Sequence, residues 1–285
     1  MSGQGVTPGP PVALTIAGSD SGAGAGLQAD LKAMSALGVF ATTVVTAVTA
    51  QNTAAVTAVH PVPTDIVAAQ LDAVLGDFAV VAVKTGMLAT TGTVQLVADR
   101  AAAGELPSLV VDPVMVASTG RRLLDDDAVA AYRTRLVPHA LVVTPNLYEA
   151  AILAGVEPVE GADVDAMIEL GRRIHDHGPT WVLVKGGHLP GVHDGDGPGP
   201  DRVADVLVGP TGIDVLDGPR VTTRNNHGTG CSLASATAAL LARGMDVPDA
   251  VAGANQFVHG ALVGAAGWEL GRGHGPLDPF GWSPR

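Results

Sequence analysis

The chain's single cysteine, Cys231, lies in a run whose spacing suits the handling of negative charge: Asn225 to Gly244 reads NNHGTGCSLASATAALLARG. Gly228 and Gly230 allow a tight turn that presents backbone N–H groups, and the apolar-periodic helix behind them adds the positive end of its dipole. An anion is the expected guest. Cys231 falls in the first turn of that helix, where the dipole and nearby donors can lower a thiol's pKa and supply a base. The same letters also describe an ordinary capped helix with an inert, buried cysteine. Both readings stand until other residues are considered.

Further chemistry-bearing side chains stand at the ends of apolar runs. Asn146 and Glu149 in TPNLYEA either hold a hydrated Mg²⁺, which keeps waters and takes one or two carboxylates, or form a helix cap and capping box. Lys185 in VKGGH and Lys84 in VKTGML each place a cation where phosphate could approach, or else are simply solvated. Asp112 in VVDPVM ends another such run. Gly24, Gly26 and Ala29 fit G-x-G-x-x-A, the dinucleotide fingerprint of an oxidoreductase. Against that, these glycines begin several residues beyond the strand, and the second strand ends in Thr49, Ala50 and Gln51 rather than a ribose-binding acid. No Walker A spacing occurs.

The elements that must carry these residues follow from hydrophobic pattern. Strands are expected at Val12 to Ala17, Thr43 to Val48, Ala79 to Val83, Leu109 to Val111, Leu141 to Thr144 and Trp181 to Val184. Leu27, Leu31, Met34 and Leu37 give a first helix closed by Gly38. Further helices are expected at Thr64 to Leu75, Thr91 to Ala103, Asp126 to Leu136, Leu147 to Ala154 and Asp163 to His177. Wholly apolar strands alternating with amphipathic helices describe a parallel sheet covered on both faces, with ligands outside the carboxyl ends of the strands. Two short strands at Ala204 to Val208 and Ile213 to Leu216 follow HLPGVHDGDGPGPD, residues 188 to 201, which is either a solvated loop or a flap over the site.

At 285 residues and 47% hydrophobic content, the chain can build one large core, and a net charge of −12 argues against nucleic acid and anionic lipid as partners. One cysteine excludes an intrachain disulfide framework and multi-cysteine metal sites. Ser2 to Pro11, lacking a basic region and an apolar run, reads as a disordered tail over residues 1–11; a reducing, cytoplasmic compartment is expected. Apolar windows such as Ala41 to Ala50 fall short of the roughly 20 residues that span a bilayer.

Assembled in order, several blocks resemble the hydroxymethylpyrimidine/phosphomethylpyrimidine kinases of thiamin biosynthesis, members of the ribokinase-like superfamily. The blocks are LTIAGSDSGAGAGLQADLKAMSALG, TAVTAQNT, KTGML, DPVM, TPNLYEA, VKGGH, HGTGC and GRGHGPLDPF, and the likeness runs from about Val12 to Phe280. It implies a three-layer α/β/α domain over residues 12–285 with a central, mostly parallel sheet, a homodimer, and ATP and Mg²⁺ as cofactors. Gln51 and Asp30 would hydrogen-bond the aminopyrimidine and its hydroxymethyl arm, with Gly18, Ala25, Met87 and Val114 lining the pocket. Asn146 and Glu149 would position Mg²⁺ and phosphate, Lys185 and Asp112 would serve the nucleotide, and Gly228, Thr229 and Gly230 would form an anion hole. Cys231 stands where relatives outside the family place an aspartate base.

Three departures from the family pattern are visible. Ala23 replaces a common glycine, Asn226 a usual threonine, and Tyr148 a frequent proline. None removes a proposed catalytic group, but substrate preference stays open, since superfamily neighbours phosphorylate pyridoxal or hydroxyethylthiazole. An oxidoreductase and a non-catalytic pyrimidine-binding protein are the other readings.

Overall fold

A computed structural model describes residues 9–115, 126–157, 163–187 and 202–283. Residues 1–8 of the expected tail and the 188–201 segment lie outside them. The carbonyl of Pro11, assigned to that tail, already accepts a hydrogen bond from Phe40 N.

Nine strands form one sheet: β1 (Val12–Asp20), β2 (Phe40–Gln51), β3 (Val56–Pro61), β4 (Val80–Thr85), β5 (Leu109–Val111), β6 (Val142–Val143), β7 (Trp181–Val184), β8 (Arg202–Gly209) and β9 (Gly212–Pro219). The order is β3-β2-β1-β4-β5-β6-β7-β8-β9. β2, β1, β4, β5, β6 and β7 pair in parallel in that order, while β3 at one edge and β8 and β9 at the other are antiparallel. The helices are α1 (Gly26–Ala36), α2 (Thr64–Asp77), α3 (Thr91–Ala102), α4 (Asp126–Ala131), α5 (Leu147–Ala154), α6 (Val164–His175), α7 (Thr229–Ala242) and α8 (Val247–Ala265).

Successive strand residues face opposite sides, so the apolar runs feed two cores. Leu14, Ile16, Val83, Val111, Val143 and Val182 pack with residues of the helices α2, α3, α5 and α6, such as Leu71, Val94, Leu153 and Met167, and with Tyr132 just beyond α4. Ala13, Ala82, Val110, Val142 and Leu183 pack on the other face with Met34 of α1, Leu233 and Leu240 of α7, and Val251 and Val258 of α8. The expected three layers are therefore present. On the second face α7 buries Ala234, Ala236, Ala238 and Ala239 completely, small residues that let it lie close to Ala13 and Ala82.

The expected strands at Leu109 to Val111 and Trp181 to Val184 match the structure residue for residue, as does the helix at Leu147 to Ala154. The expected helix over Asp126 to Leu136 instead ends as α4 at Ala131 and continues as a π turn, Tyr132–Leu136. There Thr134 Oγ1 donates to Ala130 O, and Tyr132 donates its hydroxyl proton to Gly86 O, anchoring the irregular turn to the sheet. β3 and α8 extend the expected pattern. No helix among the described residues is long and apolar enough to cross a membrane.

Candidate active site

The carboxyl ends of β1, β2, β4, β5 and β7 open into one groove of about 2200 Å³, which also receives the N-terminal turn of α7. Among its lining residues are Gly18, Ala25, Gln51, Met87, Val114, Asp112, Asn146, Glu149, Lys185, Gly228, Thr229, Gly230 and Cys231. Thirteen of the fourteen expected site residues thus come together from elements scattered over more than 200 positions. Asp30 is the exception.

The transfer end is built around α7. Gly228 sits at φ 85°, the left-handed region, and a Cβ there would meet Gly24 O at 1.9 Å, so only glycine fits. No side chain caps the helix start, which leaves first-turn amides for another acceptor. Lys185 reaches the same turn: a Cβ on Gly230 would lie 3.1 Å from Lys185 Nζ. Nζ also donates to Asp112 Oδ1 at 3.0 Å, and Asp112 accepts from Thr144 Oγ1 at 3.3 Å. Burial would lower the Lys185 pKa, but Asp112 and Glu149 more than reverse that and keep the ammonium charged.

Asn146 and Glu149 form the capping box. Asn146 Oδ1 accepts from Glu149 N and Glu149 Oε2 from Asn146 N, each at 2.9 Å. Burial, opposed by Lys185 and reinforced by Asp112, pushes the Glu149 carboxyl up to about 7. Two acidic groups thus lie close together with one lysine for compensation. Such a donor set fits a hydrated divalent cation, whose charge would relieve the repulsion. Among the described residues no cluster of three or more His, Cys, Asp or Glu could hold a metal by itself, so water and nucleotide oxygens would complete the coordination.

Cys231 reverses one expectation. Burial pushes its thiol up to about 11; Lys84 and the Gly26 N–H pull it down, while Asp30 and Asp112 push it further up. The dipole and the buried, inert thiol were the two readings open in the sequence, and burial prevails; the two carboxylates had no local signal. Gly26 begins α1, so the sulfur lies where the N-termini of α1 and α7 meet.

Asp30 requires a correction, because its carboxylate is closed to a ligand. It is 0% exposed and accepts from Thr15 Oγ1 at 2.6 Å, Ser235 Oγ at 2.6 Å and Lys84 Nζ at 2.9 Å on both oxygens. It binds Lys84, and with it fully enclosed Lys84 offers no free cation for phosphate. The dinucleotide reading of Gly24 and Gly26 fails for a related reason. The carboxylate of Asp20 takes the N–H groups of Gly22, Gly24 and Ala25 that a pyrophosphate would need.

Two further features went unassigned in the sequence. Asp20 contacts His227 Nε2 at 3.2 Å, and Gln51 lies 3.1 Å from the same nitrogen. Asp205, also lining the groove, accepts from Gly186 N and Asn255 Nδ2, both at 2.9 Å. A charged residue inside the apolar run Val203 to Val208 was the available signal for Asp205. The histidine in HGTGC was the signal for the other.

A three-layer sheet with an uncapped helix N-terminus, a lysine and paired acids meeting at one groove defines a phosphotransferase of the ribokinase-like class. Residues 20–278 match the family model described as phosphomethylpyrimidine kinase, and the chain belongs to that family. It is 46% identical to the hydroxymethylpyrimidine/phosphomethylpyrimidine kinase of Rhizobium meliloti (strain 1021) over 269 residues, 94% of this chain and 97% of that one. Among solved structures it is similar to phosphomethylpyrimidine kinase from Clostridium difficile 630, with TM-score 0.75, 36% identity, and 88% and 99% of the two chains covered. It is also similar to pyridoxal kinase from Staphylococcus aureus in complex with AMP-PCP and pyridoxal, with TM-score 0.83, 32% identity, and 96% and 95% covered.

Proposed function

We propose that the chain transfers the γ-phosphoryl group of ATP to 4-amino-5-hydroxymethyl-2-methylpyrimidine, and then phosphorylates the monophosphate to the diphosphate, in thiamin biosynthesis. The observation that carries this is the meeting of Lys185, the Gly228 to Cys231 turn and the Asp112–Glu149 pair at one point in the groove.

Phosphoryl transfer asks mainly for positioning and for stabilisation of developing charge. The first-turn amides of α7 and the Lys185 ammonium supply donors for the moving phosphoryl oxygens. Gly18, Ala25, Gln51, Met87 and Val114 form the wall for a neutral heterocycle, which points its hydroxymethyl arm toward Cys231. Asn146 and Glu149, with the Asp112 carboxylate beside them, would hold a hydrated Mg²⁺, which when bound neutralises nucleotide phosphate charge. Cys231 accepts the hydroxyl proton as the bond to phosphorus forms. Since its thiol titrates at about 11, this role requires prior loss of the thiol proton, favoured by Lys84 and the Gly26 N–H.

The test is ATP consumption with the pyrimidine for the wild type, Cys231→Ala and Cys231→Asp. Turnover should fall by about 10² in the alanine variant and recover in part in the aspartate variant, as expected when a base is removed and replaced. Near-normal turnover of Cys231→Ala removes the cysteine from the mechanism. Pyridoxal in the same assay addresses the second reading, motivated by the structural likeness to the S. aureus pyridoxal kinase. The same reading includes a cytoplasmic homodimer with residues 12–285 as one domain; its single cysteine suits a reducing compartment, and sedimentation tests the dimer.

A further inference from the structure

Asp20, Gln51 and His227 meet at one nitrogen. His227 Nε2 lies 3.2 Å from Asp20 Oδ2 and 3.1 Å from the Gln51 amide, with all three residues lining the groove. Asp20 ends β1, Gln51 ends β2, and His227 precedes the turn into α7. The imidazole is locked in place: a Cβ on Gly24 would come within 2.4 Å of His227 Cδ2, and the backbone of His227 donates to Gly275 O at 3.0 Å.

Hydrogen-bond accounting decides how this trio is wired. The Asp20 carboxylate also receives the N–H groups of Gly22, Gly24 and Ala25, and it only accepts. Burial alone would raise its pKa, but the His227 bond and the backbone donors outweigh that and hold it ionised. His227 Nε2 therefore carries a proton directed at Asp20. An amide NH₂ facing that same nitrogen would set donor against donor. The oxygen and nitrogen of a glutamine amide are interchangeable in shape and are assigned from their partners. With Oε1 toward His227, the Nε2–H is shared between two acceptors. The NH₂ then meets Thr49 Oγ1, 3.2 Å from the other end of the amide, and that hydroxyl donates its own proton to Ser19 O at 2.9 Å. Around Nε2 every donor then faces an acceptor, and one N–H of the amide is left for the groove.

We propose that His227, oriented by Asp20, is a positioning residue that fixes the Gln51 amide with its NH₂ group available to the groove. This wall then selects ligands that present an in-plane nitrogen lone pair, such as a pyrimidine ring nitrogen. The proposal rests on the kinase reading for the identity of the ligand, but the wiring does not.

The experiment is a double-mutant cycle on His227→Ala and Gln51→Ala, read as pyrimidine Kd by calorimetry and as KM for pyrimidine and ATP by turnover. His227→Ala should weaken pyrimidine binding about five- to tenfold, the worth of one good hydrogen bond, with ATP KM within about twofold. His227→Gln, whose amide can restore an N–H near Nε2, should recover most of the loss. Added to Gln51→Ala, His227→Ala should cost nothing more. In the wild type, replacing one of the two ring nitrogens by C–H should cost about as much as Gln51→Ala. Additive losses in the double variant, or equal losses for pyrimidine and ATP, overturn the proposal. If His227→Ala does not fold, His227→Leu, which removes the N–H but keeps bulk, takes its place in the cycle, and a full loss in His227→Gln with Gln51 intact overturns the proposal. A wild type that binds pyrimidine with non-additive coupling yet consumes no ATP supports the positioning role and overturns the kinase reading instead.

Discussion

Lys84 and Lys185 end apolar strands in nearly the same words, VKTG and VKGG, yet they have opposite fates. Lys84 is 0% exposed and grips both oxygens of Asp30, whose remaining capacity is filled by Thr15 and Ser235. Lys185 keeps 14% of its side chain exposed and shares Asp112 with the neighbourhood of Glu149, against the open turn at Gly230. A closed polar cluster fixes structure, because every charge is paired and no water or ligand can compete. An unsaturated one is poised for chemistry, because an incoming phosphate or cation completes it.

The comparison is broken most forcefully at the closed pair. Lys84→Met leaves Asp30 buried without its cation and should cost about 3–5 kcal/mol, the range for removing one partner of a buried pair, measured by urea unfolding. A loss near zero would mean that Asp30 is not committed to Lys84. At the open pair, Lys185→Met should lower kcat by about 10² through lost charge stabilisation and unfold more easily by much less than Lys84→Met. A stability loss as large as that of Lys84→Met would erase the distinction. The smallest effect is in pH dependence. Glu149 titrates near 7 in the fold against an ordinary 4.5, so the fold holds its proton more tightly than the unfolded chain. Its contribution to stability is complete below about 4.5 and is lost as pH rises through about 7. Unfolding of the wild type and Glu149→Gln between these values should show a downward slope with pH in the first that is shallower in the second.

The sequence made the fold legible where one local pattern sufficed. β5 and β7 are runs of wholly buried residues, and α5 announces its start with an Asn and Glu in capping-box spacing. β3 was not anticipated: its residues are mostly exposed and supply no alternation of buried positions. The nineteen residues of α8 were missed although Asp246 and Pro248 signal its start, because Gly253, Gly260 and Gly264 dilute the apolar stripe. The site was legible in membership but not in wiring. Nothing local to Lys84 shows that a carboxylate 54 positions earlier will enclose it, and nothing local to Cys231 shows that burial will outweigh the dipole.

The position of α7 has a consequence for synthesis. It is made almost last, yet it lies over the middle of the sheet, and Ser235 completes Asp30 across 205 positions while His227 reaches Asp20 across 207. A nascent chain that has produced β1 through β9 still lacks the Ser235 partner of Asp30 and the helix that covers Ala13, Ala82 and Val110. Early-emerging segments must wait for the last quarter of the polypeptide, which is the slow, aggregation-exposed regime of long-range topology. Truncation by release or proteolysis anywhere before α7 therefore yields a chain with neither a finished core nor an anion-binding turn, so damaged product is inert.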